Sequence, residues 1–334
     1  MKRVLLLFGG ESAEREVSVM SAHNVYAAID RSKFDVTLCY VDESGRFLIV
    51  DDIDKLDDGR EVLPVLGRSS FRYADSNELI KPDVLLPMLH GRGGEDGAVQ
   101  GLAQLMHIPV VGCNVEASAV CMNKIMTKRI LKSVAIDTVP FVTVFKNSKY
   151  PRYDKLKDTL GESMFVKSAR QGSSIGVSRA TNQAELGQAL ETAFKYDDTA
   201  LIEQAIDGRE FEVAVLGNYP DIKTSDVAEV LVGGFFNYDL KYSEGSSAET
   251  VLSAKLTDQE RSRILQIAKR AYITLGCSGL ARVDFLKSKD KLFVSEVNTI
   301  PGFTSTSKYP RLMMATGMTY QELITQLIEL ALED

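Results

Sequence analysis

Cysteine is scarce in this sequence, and its spacing excludes the common uses of the residue. The 334 residues include four cysteines, no two of them in a CxxC pair and all among apolar neighbours: Cys39, Cys113, Cys121 and Cys277. Structural zinc sites and thiol exchange motifs need closely paired cysteines. We therefore expect reduced thiols in the core and a cytoplasmic protein.

Long apolar runs are also missing. The start, "MKRVLLLFGG", has a five-residue apolar run that is too short for a secretory signal. No other segment approaches the ~20 apolar residues of a membrane helix. The net charge of -7, from 39 basic and 46 acidic residues, gives no attraction to phosphate backbones or anionic lipid. We expect no nucleic-acid partner and no membrane partner.

The first third alternates apolar runs with segments of helical spacing. The runs "RVLLLFGG", "DVTLCYV" and "DVLLPMLH" are apolar on both faces, which predicts a parallel sheet covered by helices. Ligands bind at the carboxyl ends of such strands, where Gly9, Gly10 and the loop 90–97 should lie. The fingerprints GxGxxG and GxxxxGK are absent, which counts against a Rossmann-type oxidoreductase.

The length and a change of pattern predict three domains, at 1–115, 116–206 and 207–334. The second would hold a long helix over 117–135 and a hairpin over 163–180. In the third we predict a polar loop over 237–250, then a helix over 258–276 and a last hairpin. The sequence shows no internal repeat.

The last hairpin, "GLARVDFLK" with "KLFVSEVN", contains carboxylates in a buried pattern. Glu296 and Asn298 share one face, and a connection over 288–292 would place Asp284 opposite Glu296 and Arg282 opposite Asn298. Like charges across a sheet need a counter-charge, and Mg²⁺ prefers such oxygen ligands. The alternative is an ordinary ion pair between Glu296 and Arg282.

A lysine and a glycine-bearing loop follow the middle strand, in "KSARQGSSIG". Backbone N–H groups between Gly172 and Gly176 and the ammonium of Lys167 would suit phosphate. A plain turn is the alternative for this loop, as a solvated helix face is for Lys124. The order of the parts favours a phosphate site: Lys124, Lys167, Glu203, Asp284, Glu296 and Asn298.

This order resembles the ATP-grasp enzymes, and within them the D-alanine:D-alanine ligases. The resemblance spans nearly the whole chain and is carried by "FGGESAEREVS", "LHGRGGEDGAVQG", "VKSARQGSSIGVS", "EVAVLGN", "YDLKY", "ARVDF" and "EVNTIPGFTSTSKYP". It implies an α/β (α+β) ATP-grasp fold with an N-terminal Rossmann-like domain. It also implies ATP and D-alanine as substrates, two Mg²⁺ or Mn²⁺ ions, a homodimer, and a role in peptidoglycan precursor synthesis.

The resemblance implies a role for each residue on the nucleotide side. Lys124 and Lys167 would contact the ATP phosphates, and the loop with Ser173 and Ser174 would close over them. Glu210 would bind the ribose. The adenine would lie against Glu203, Gln204 and Ile206, and the metal ions against Asp284, Glu296 and Asn298.

On the amino-acid side, Glu14 would bind the ammonium of the first D-alanine, with His90 and Glu95 in support. Arg282 and the N–H of Gly302 would stabilise the oxyanion. Ser307 would receive the second carboxylate. The loop 237–250 would be a lid that excludes water, and its Lys241 and Tyr242 would close over the site, Tyr242 toward Ser173 and Glu14.

Three residues depart from the family pattern. Asn123 replaces an aspartate and Ser168 a proline, both at the edge of the ATP site. Lys308 stands where D-alanine ligases carry Met or Leu and resistance-type ligases carry Arg, so a D-alanine:D-serine ligase is the alternative. Tyr242 argues against D-lactate. A non-catalytic ATP-binding module would be expected to lack some of these residues, and all are present.

Overall fold

The computed structural model describes residues 1–172, 176–231, 249–289 and 291–333. The strands in these ranges form three sheets. Within the same ranges, no helix combines the length and the apolar character that crossing a bilayer requires.

The first sheet is parallel only at one end. Its strands are β1 (Lys2–Gly9), β2 (Phe34–Val41), β3 (Phe47–Val50), β4 (Arg60–Val65), β5 (Ser70–Tyr73), β6 (Leu79–Ile80) and β7 (Val84–Pro87), in the order β6-β5-β4-β3-β2-β1-β7. Strand β1 pairs in parallel with β2 and β7. The prediction of a parallel sheet is right there and wrong for β3 to β6, because short connections force antiparallel pairing. A 3₁₀ turn (Leu56–Asp58) precedes β4, and the helices of this region are α1 (Arg15–Ala28) and α2 (Ala98–Met106).

The long helix predicted over 117–135 is two helices, α3 (Val115–Met122) and α4 (Lys124–Ser133). Asn123 lies between them with φ -90° and ψ 95°, and its Oδ1 accepts hydrogen bonds from the N–H groups of Ile125 and Met126. An asparagine that caps a new helix must leave helical geometry itself, so periodicity alone overlooked the break.

The second sheet is small and antiparallel. Its strands are β8 (Phe141–Phe145), β9 (Met164–Ser168), β10 (Ser178–Ala180) and β11 (Thr199–Gln204), in the order β10-β9-β11-β8. Its helices are α5 (Tyr153–Leu160) and α6 (Gln183–Ala193). Ser178 pairs with Val166, so the predicted hairpin is confirmed.

The third sheet carries all three predicted metal ligands. Its strands are β12 (Arg209–Leu216), β13 (Lys223–Thr224), β14 (Ala228–Leu231), β15 (Glu249–Val251), β16 (Leu280–Ser288) and β17 (Lys291–Asn298), in the order β15-β14-β12-β16-β17, with β13 beside β12. Helix α7 (Asp258–Thr274) begins at a capping box formed by Thr257 and Glu260. Helices α8 (Lys308–Met314) and α9 (Tyr320–Ala331) end the fold.

The β16–β17 register is the one predicted, although the connection is not. Asp284 pairs with Glu296 and Arg282 with Asn298, but Ser288 already pairs with Lys291, so the turn is shorter than the predicted 288–292. The register shifts by one where Phe285 pairs with Val294, which leaves Ser295 as an extra residue on β17. This bulge restores the predicted pairing at the site.

The last two helices join the first and third sheets. Tyr309, Leu312 and Leu327 belong to the same buried cluster as Phe8 and Val25. The carboxyl-terminal segment therefore packs on the first sheet, which brings the residues after β17 close to α1. The predicted domain boundaries at 115 and 206 stay predictions.

The cap at Asn123 gives a stability test. We expect Asn123→Ala to lower the free energy of unfolding by about 1 kcal/mol, because two backbone N–H groups lose their acceptor. Asn123→Asp keeps an acceptor and should unfold like the wild type, as should Asn147→Ala at an exposed turn. Thermal unfolding followed by circular dichroism measures all three. Equal midpoints for Asn123→Ala and Asn147→Ala would contradict the capping role.

Candidate active site

Seven of the predicted site residues line one cleft between the second and third sheets. They are Glu95, Lys124, Lys167, Glu210, Asp284, Glu296 and Asn298. The structure thus brings together lysines from α4 and β9 with carboxylates from β12, β16 and β17.

Three carboxylates lie side by side across three neighbouring strands. Glu212 on β12 pairs with Asp284 on β16, which pairs with Glu296 on β17. Arg282 holds Asp284 with two hydrogen bonds of 2.7 Å, so its ion pair is with Asp284 and not with Glu296 as the alternative had it. Burial raises the pKa of Asp284 to about 7 despite this pair, and the charges of Glu212 and Glu296 add to the rise.

The donor set on this face fits a hard divalent cation. Asp284 and Glu296 offer carboxylate oxygens, and the amide nitrogen of Asn298 donates to Asp284 Oδ2 at 3.1 Å, so its amide reaches the same point. A buried carboxylate oxygen, Glu212 Oε2, has no hydrogen-bond partner among the described residues. Within them, no group of three His, Cys, Asp or Glu side chains is arranged for a metal ion, and this donor set consists of two carboxylates and one amide.

Lys308 is the main counter-charge of Glu212. Its Nζ lies 2.6 Å from Glu212 Oε1, and the Glu212 side chain is 1% exposed. Arg282 Nε is farther, at 3.7 Å. Sequence reasoning singled out Lys308 but missed Glu212. The sequence does contain a signal for Glu212, because residues two apart on a strand share a face and Glu210 and Glu212 are two apart in "REFEV".

Lys124 connects the loop of the second sheet to the carboxylates. Its Nζ donates to Gln171 O at 2.6 Å and lies 3.9 Å from Glu296 Oε2. Its side chain is only 14% exposed, so the alternative of a solvated helix face is wrong. At the first position of α4, its backbone N–H donates to Ala169 O.

Glu203 lies beneath the cleft between two lysines. Lys167 Nζ is 2.6 Å from its Oε2, and Lys128 Nζ is 2.6 Å from its Oε1. The two ammonium groups hold the pKa of this buried carboxyl at about 2 against the effect of burial. Gln204 ends β11, where its N–H donates to Pro140 O, and Ile206 follows as a half-buried residue. Lys128 was not predicted as a partner of Glu203, because its spacing is typical of any residue in a helix.

Glu14 lies where three segments meet. It precedes α1, and its N–H donates to Ser12 Oγ. A Cβ on Gly91 would lie 2.7 Å from Glu14 Oε2, and a Cβ on Gly172 would lie 3.4 Å from it. The glycines leave room for the carboxylate between the loop after β7 and the loop after β9.

His90 is 4% exposed and connects distant segments. Its Nδ1 donates to Ile300 O at 3.1 Å, and its Nε2 is 3.0 Å from Ser21 Oγ. Glu95 Oε1 lies 3.7 Å from Nδ1 and accepts from Gly91 N. The imidazole therefore positions the segment after β17. Because His90 is buried and held by these partners, it lies beside the cleft and supports the residues that line it.

The segment after β17 is held by α1. Phe303 N donates to Ser21 Oγ and Ser305 N to Asn24 Oδ1, two contacts that sequence reasoning missed. Ser307 precedes α8, and its Oγ accepts from Thr304 N at 3.0 Å. A Cβ on Gly302 would lie 3.2 Å from that Oγ. Gly302 and Ser307 are therefore neighbours.

Several predicted residues lie outside the described ranges: Ser173, Ser174, Lys241 and Tyr242, with the lid segment up to residue 248. The predicted loop 237–250 is too long at its end, because β15 already begins at Glu249. Ser168, one of the departures from the family pattern, is buried and donates to Ala193 O.

Two family models match most of the chain. The model described as "D-ala D-ala ligase N-terminus" matches residues 3–113, and the model described as "D-ala D-ala ligase C-terminus" matches residues 130–329. A curated relative, the D-alanine–D-alanine ligase of Shouchella clausii (strain KSM-K16), is 43% identical over 351 residues, which cover 99% of this chain and 95% of the relative.

Solved structures agree with these matches. VanG D-Ala:D-Ser ligase from Enterococcus faecalis superposes with a TM-score of 0.90 at 33% identity, over 99% of both chains. D-alanine–D-alanine ligase from Bacillus anthracis complexed with ATP gives a TM-score of 0.77 at 27% identity, over 99% of this chain and 98% of that one.

The pair of Lys308 and Glu212 gives a second stability test. We expect Lys308→Met to lower the free energy of unfolding by about 2 kcal/mol, because a buried carboxylate loses its nearest cation. Adding Glu212→Gln should restore much of the loss. Lys287→Met breaks a more exposed pair with Glu260 and should barely shift the thermal midpoint. A loss that the second substitution does not reduce would show that Lys308 acts elsewhere.

Proposed function

The chain belongs to the D-alanine–D-alanine ligase family and has its ATP-grasp fold, and on that premise we propose that it joins two D-alanines at the expense of ATP. The observation that carries the proposal is the cleft in which Lys124 and Lys167 face Asp284, Glu296 and Asn298. Positive groups for phosphates and oxygen ligands for a cation occur there together. The product, D-alanyl-D-alanine, would serve peptidoglycan precursor synthesis.

A carboxylate is a poor electrophile, so the reaction must first give it a leaving group. In the proposed sequence the first D-alanine carboxylate attacks the γ-phosphorus of ATP, which yields an acyl phosphate and ADP. The amine of the second D-alanine then attacks the acyl carbon. The amide forms, the amine loses a proton, and inorganic phosphate leaves.

Lys124 and Lys167 bind the phosphates in this proposal. Both side chains are 14% exposed and line the cleft, so a ligand bound in the cleft can contact them directly. Glu210 on β12 lines the same cleft and would hold the ribose. The adenine would lie near Glu203, Gln204 and Ile206. Ser173 and Ser174 are assigned to the loop over the phosphates by the family resemblance.

Asp284, Glu296 and Asn298 would hold Mg²⁺ or Mn²⁺ ions, two by the family resemblance. A bound divalent cation would offset negative charge on the phosphates. The position of these groups supports this assignment, because two carboxylates and an amide line the same cleft on neighbouring strands and offer the oxygen ligands that a hard cation prefers. Asn298 would turn its amide oxygen toward the ion.

Glu14 would bind the ammonium of the first D-alanine. Its carboxylate lies against Gly91 and Gly172, at the junction of the two loops, which suits a small zwitterion. His90 and Glu95 would hold this subsite in shape through Ile300 and Gly91. Lys241 and Tyr242 of the proposed lid would complete it.

Arg282 and Gly302 would stabilise the oxyanion of the tetrahedral intermediate. Asp284 accepts from Nε and Nη2 of Arg282, and the proposal assigns Nη1 to the oxyanion. Gly302 offers its N–H from a segment that Ser21 and His90 hold. The neighbouring Ser307 would bind the carboxylate of the second substrate.

The second amino acid is D-alanine in this proposal. Lys308 points at Glu212, so its charge has a partner within the protein. D-serine is the second candidate, because the VanG D-Ala:D-Ser ligase has a closely similar structure and Lys308 departs from the pattern of D-alanine ligases. A homodimer and a cytoplasmic location are part of the proposal by family resemblance alone.

Product analysis separates the candidates. With ATP, Mg²⁺ and equal D-alanine, D-serine and D-lactate, we expect D-alanyl-D-alanine as the main product, measured by mass spectrometry together with ADP release. A main product of D-alanyl-D-serine would replace the proposal by its alternative. Absence of any dipeptide with the wild-type protein would remove both.

Glu296→Gln tests the metal assignment. We expect it to raise the Mg²⁺ concentration for half-maximal ADP release by at least about tenfold, because one anionic ligand becomes neutral. Glu210→Gln is the matched control in the same cleft. It should raise KM for ATP and leave the Mg²⁺ requirement unchanged. If the two variants respond alike to Mg²⁺, Glu296 is not a metal ligand.

A further inference from the structure

One buried lysine of α4 has no part in the site proposed above. Lys128 follows Lys124 by one helical turn, and its side chain is 1% exposed. Its Nζ is 2.6 Å from Glu203 Oε1 and donates to Val139 O at 3.4 Å. A lysine is seldom so deeply buried, because its ammonium group must lose its water, and burial lowers the pKa of this one.

Lys128 and Lys167 share a single carboxylate. Each oxygen of Glu203 lies 2.6 Å from one ammonium nitrogen. The group of three therefore carries one more positive than negative charge.

The two lysines differ in what they can reach. Lys167 is 14% exposed and lines the cleft, whereas Lys128 is 1% exposed and does not line it. An anion in the cleft can therefore contact Lys167. If Lys167 turned toward that anion, Glu203 would lose one of its two cations while remaining buried.

We propose that Lys128 is a positioning residue for nucleotide binding, which keeps Glu203 neutralised and in place so that Lys167 can turn to a phosphate of ATP. Lys128 itself touches no substrate. Without Lys128, Glu203 would depend on Lys167 for its ion pair. A phosphate that contacts Lys167 would then compete with Glu203 for the same ammonium group. The identity of the anion rests on the proposed function.

Three single variants test this role. Lys128→Met removes the charge and keeps the length, and we expect it to weaken MgADP binding in calorimetry, and to raise KM for ATP, by at least about tenfold. kcat and KM for D-alanine should change much less. Lys128→Arg keeps the charge and should recover most of the affinity. Lys132→Met removes an exposed charge on the same helix and should bind like the wild type.

A double variant distinguishes a positioning role of Lys128 from a general loss of stability. This comparison can be made even if the single variant Lys128→Met does not fold. Because Lys128 acts through Glu203, adding Lys128→Met to Glu203→Gln should change the Kd for MgADP by less than about twofold. The double variant buries neither charge, so we expect it to fold. A further tenfold loss in the double variant would overturn the inference.

The inference is also overturned if Lys128→Met binds MgADP like the wild type, or if Lys132→Met loses as much affinity. These results are distinct from a failure of the proposed function. Calorimetry with MgADP reports on Lys128 whether or not the wild type forms a dipeptide. If the wild type binds no MgADP, both the nucleotide site and the role of Lys128 are rejected.

Discussion

Negative charge concentrated on one face of the third sheet constrains the rest of this molecule. Glu212, Asp284 and Glu296 are adjacent across three strands, and like charges in that arrangement repel. Each has a cation beside it: Lys308 of α8 for Glu212, Arg282 of the same strand for Asp284, and Lys124 of α4, 3.9 Å from Glu296. The positions of α4 and α8 are thus tied to the electrostatics of the cleft.

The opposite wall of the cleft repeats this arrangement with the signs reversed. Glu203 is shared by Lys128 and Lys167, and only the second of these lines the cleft. On this wall one carboxylate lies between two cations, whereas each of the three carboxylates on the third sheet has a cation beside it. In the proposed function the lysines would contact phosphates and the carboxylates a divalent cation, the two requirements of phosphoryl transfer.

The proposed amino-acid end of the site depends on contacts between the two ends of the chain. His90, Ser21 and Asn24 hold the segment from Ile300 to Ser305 through hydrogen bonds. Packing of α8 and α9 on the first sheet supports these bonds. The segment that carries Gly302 is thereby held against α1. The site is shared among all three sheets, so no one of them would be expected to form it alone.

The sequence pattern correctly predicted the features that depend on residues close together along the chain. The period of two in β16 and β17 placed Asp284 opposite Glu296 and put Asn298 on the same face, and the order of the polar segments led to Lys124 and Lys167. The same periodicity did not reveal the bulge at Ser295, nor the cap at Asn123 that divides one helix into two. The partners of Lys308 and Lys128 were also out of reach, since Glu212 and Glu203 lie far from them along the chain. Spacing along a chain predicts which residues share a face, but which buried charges meet depends on how separate elements pack.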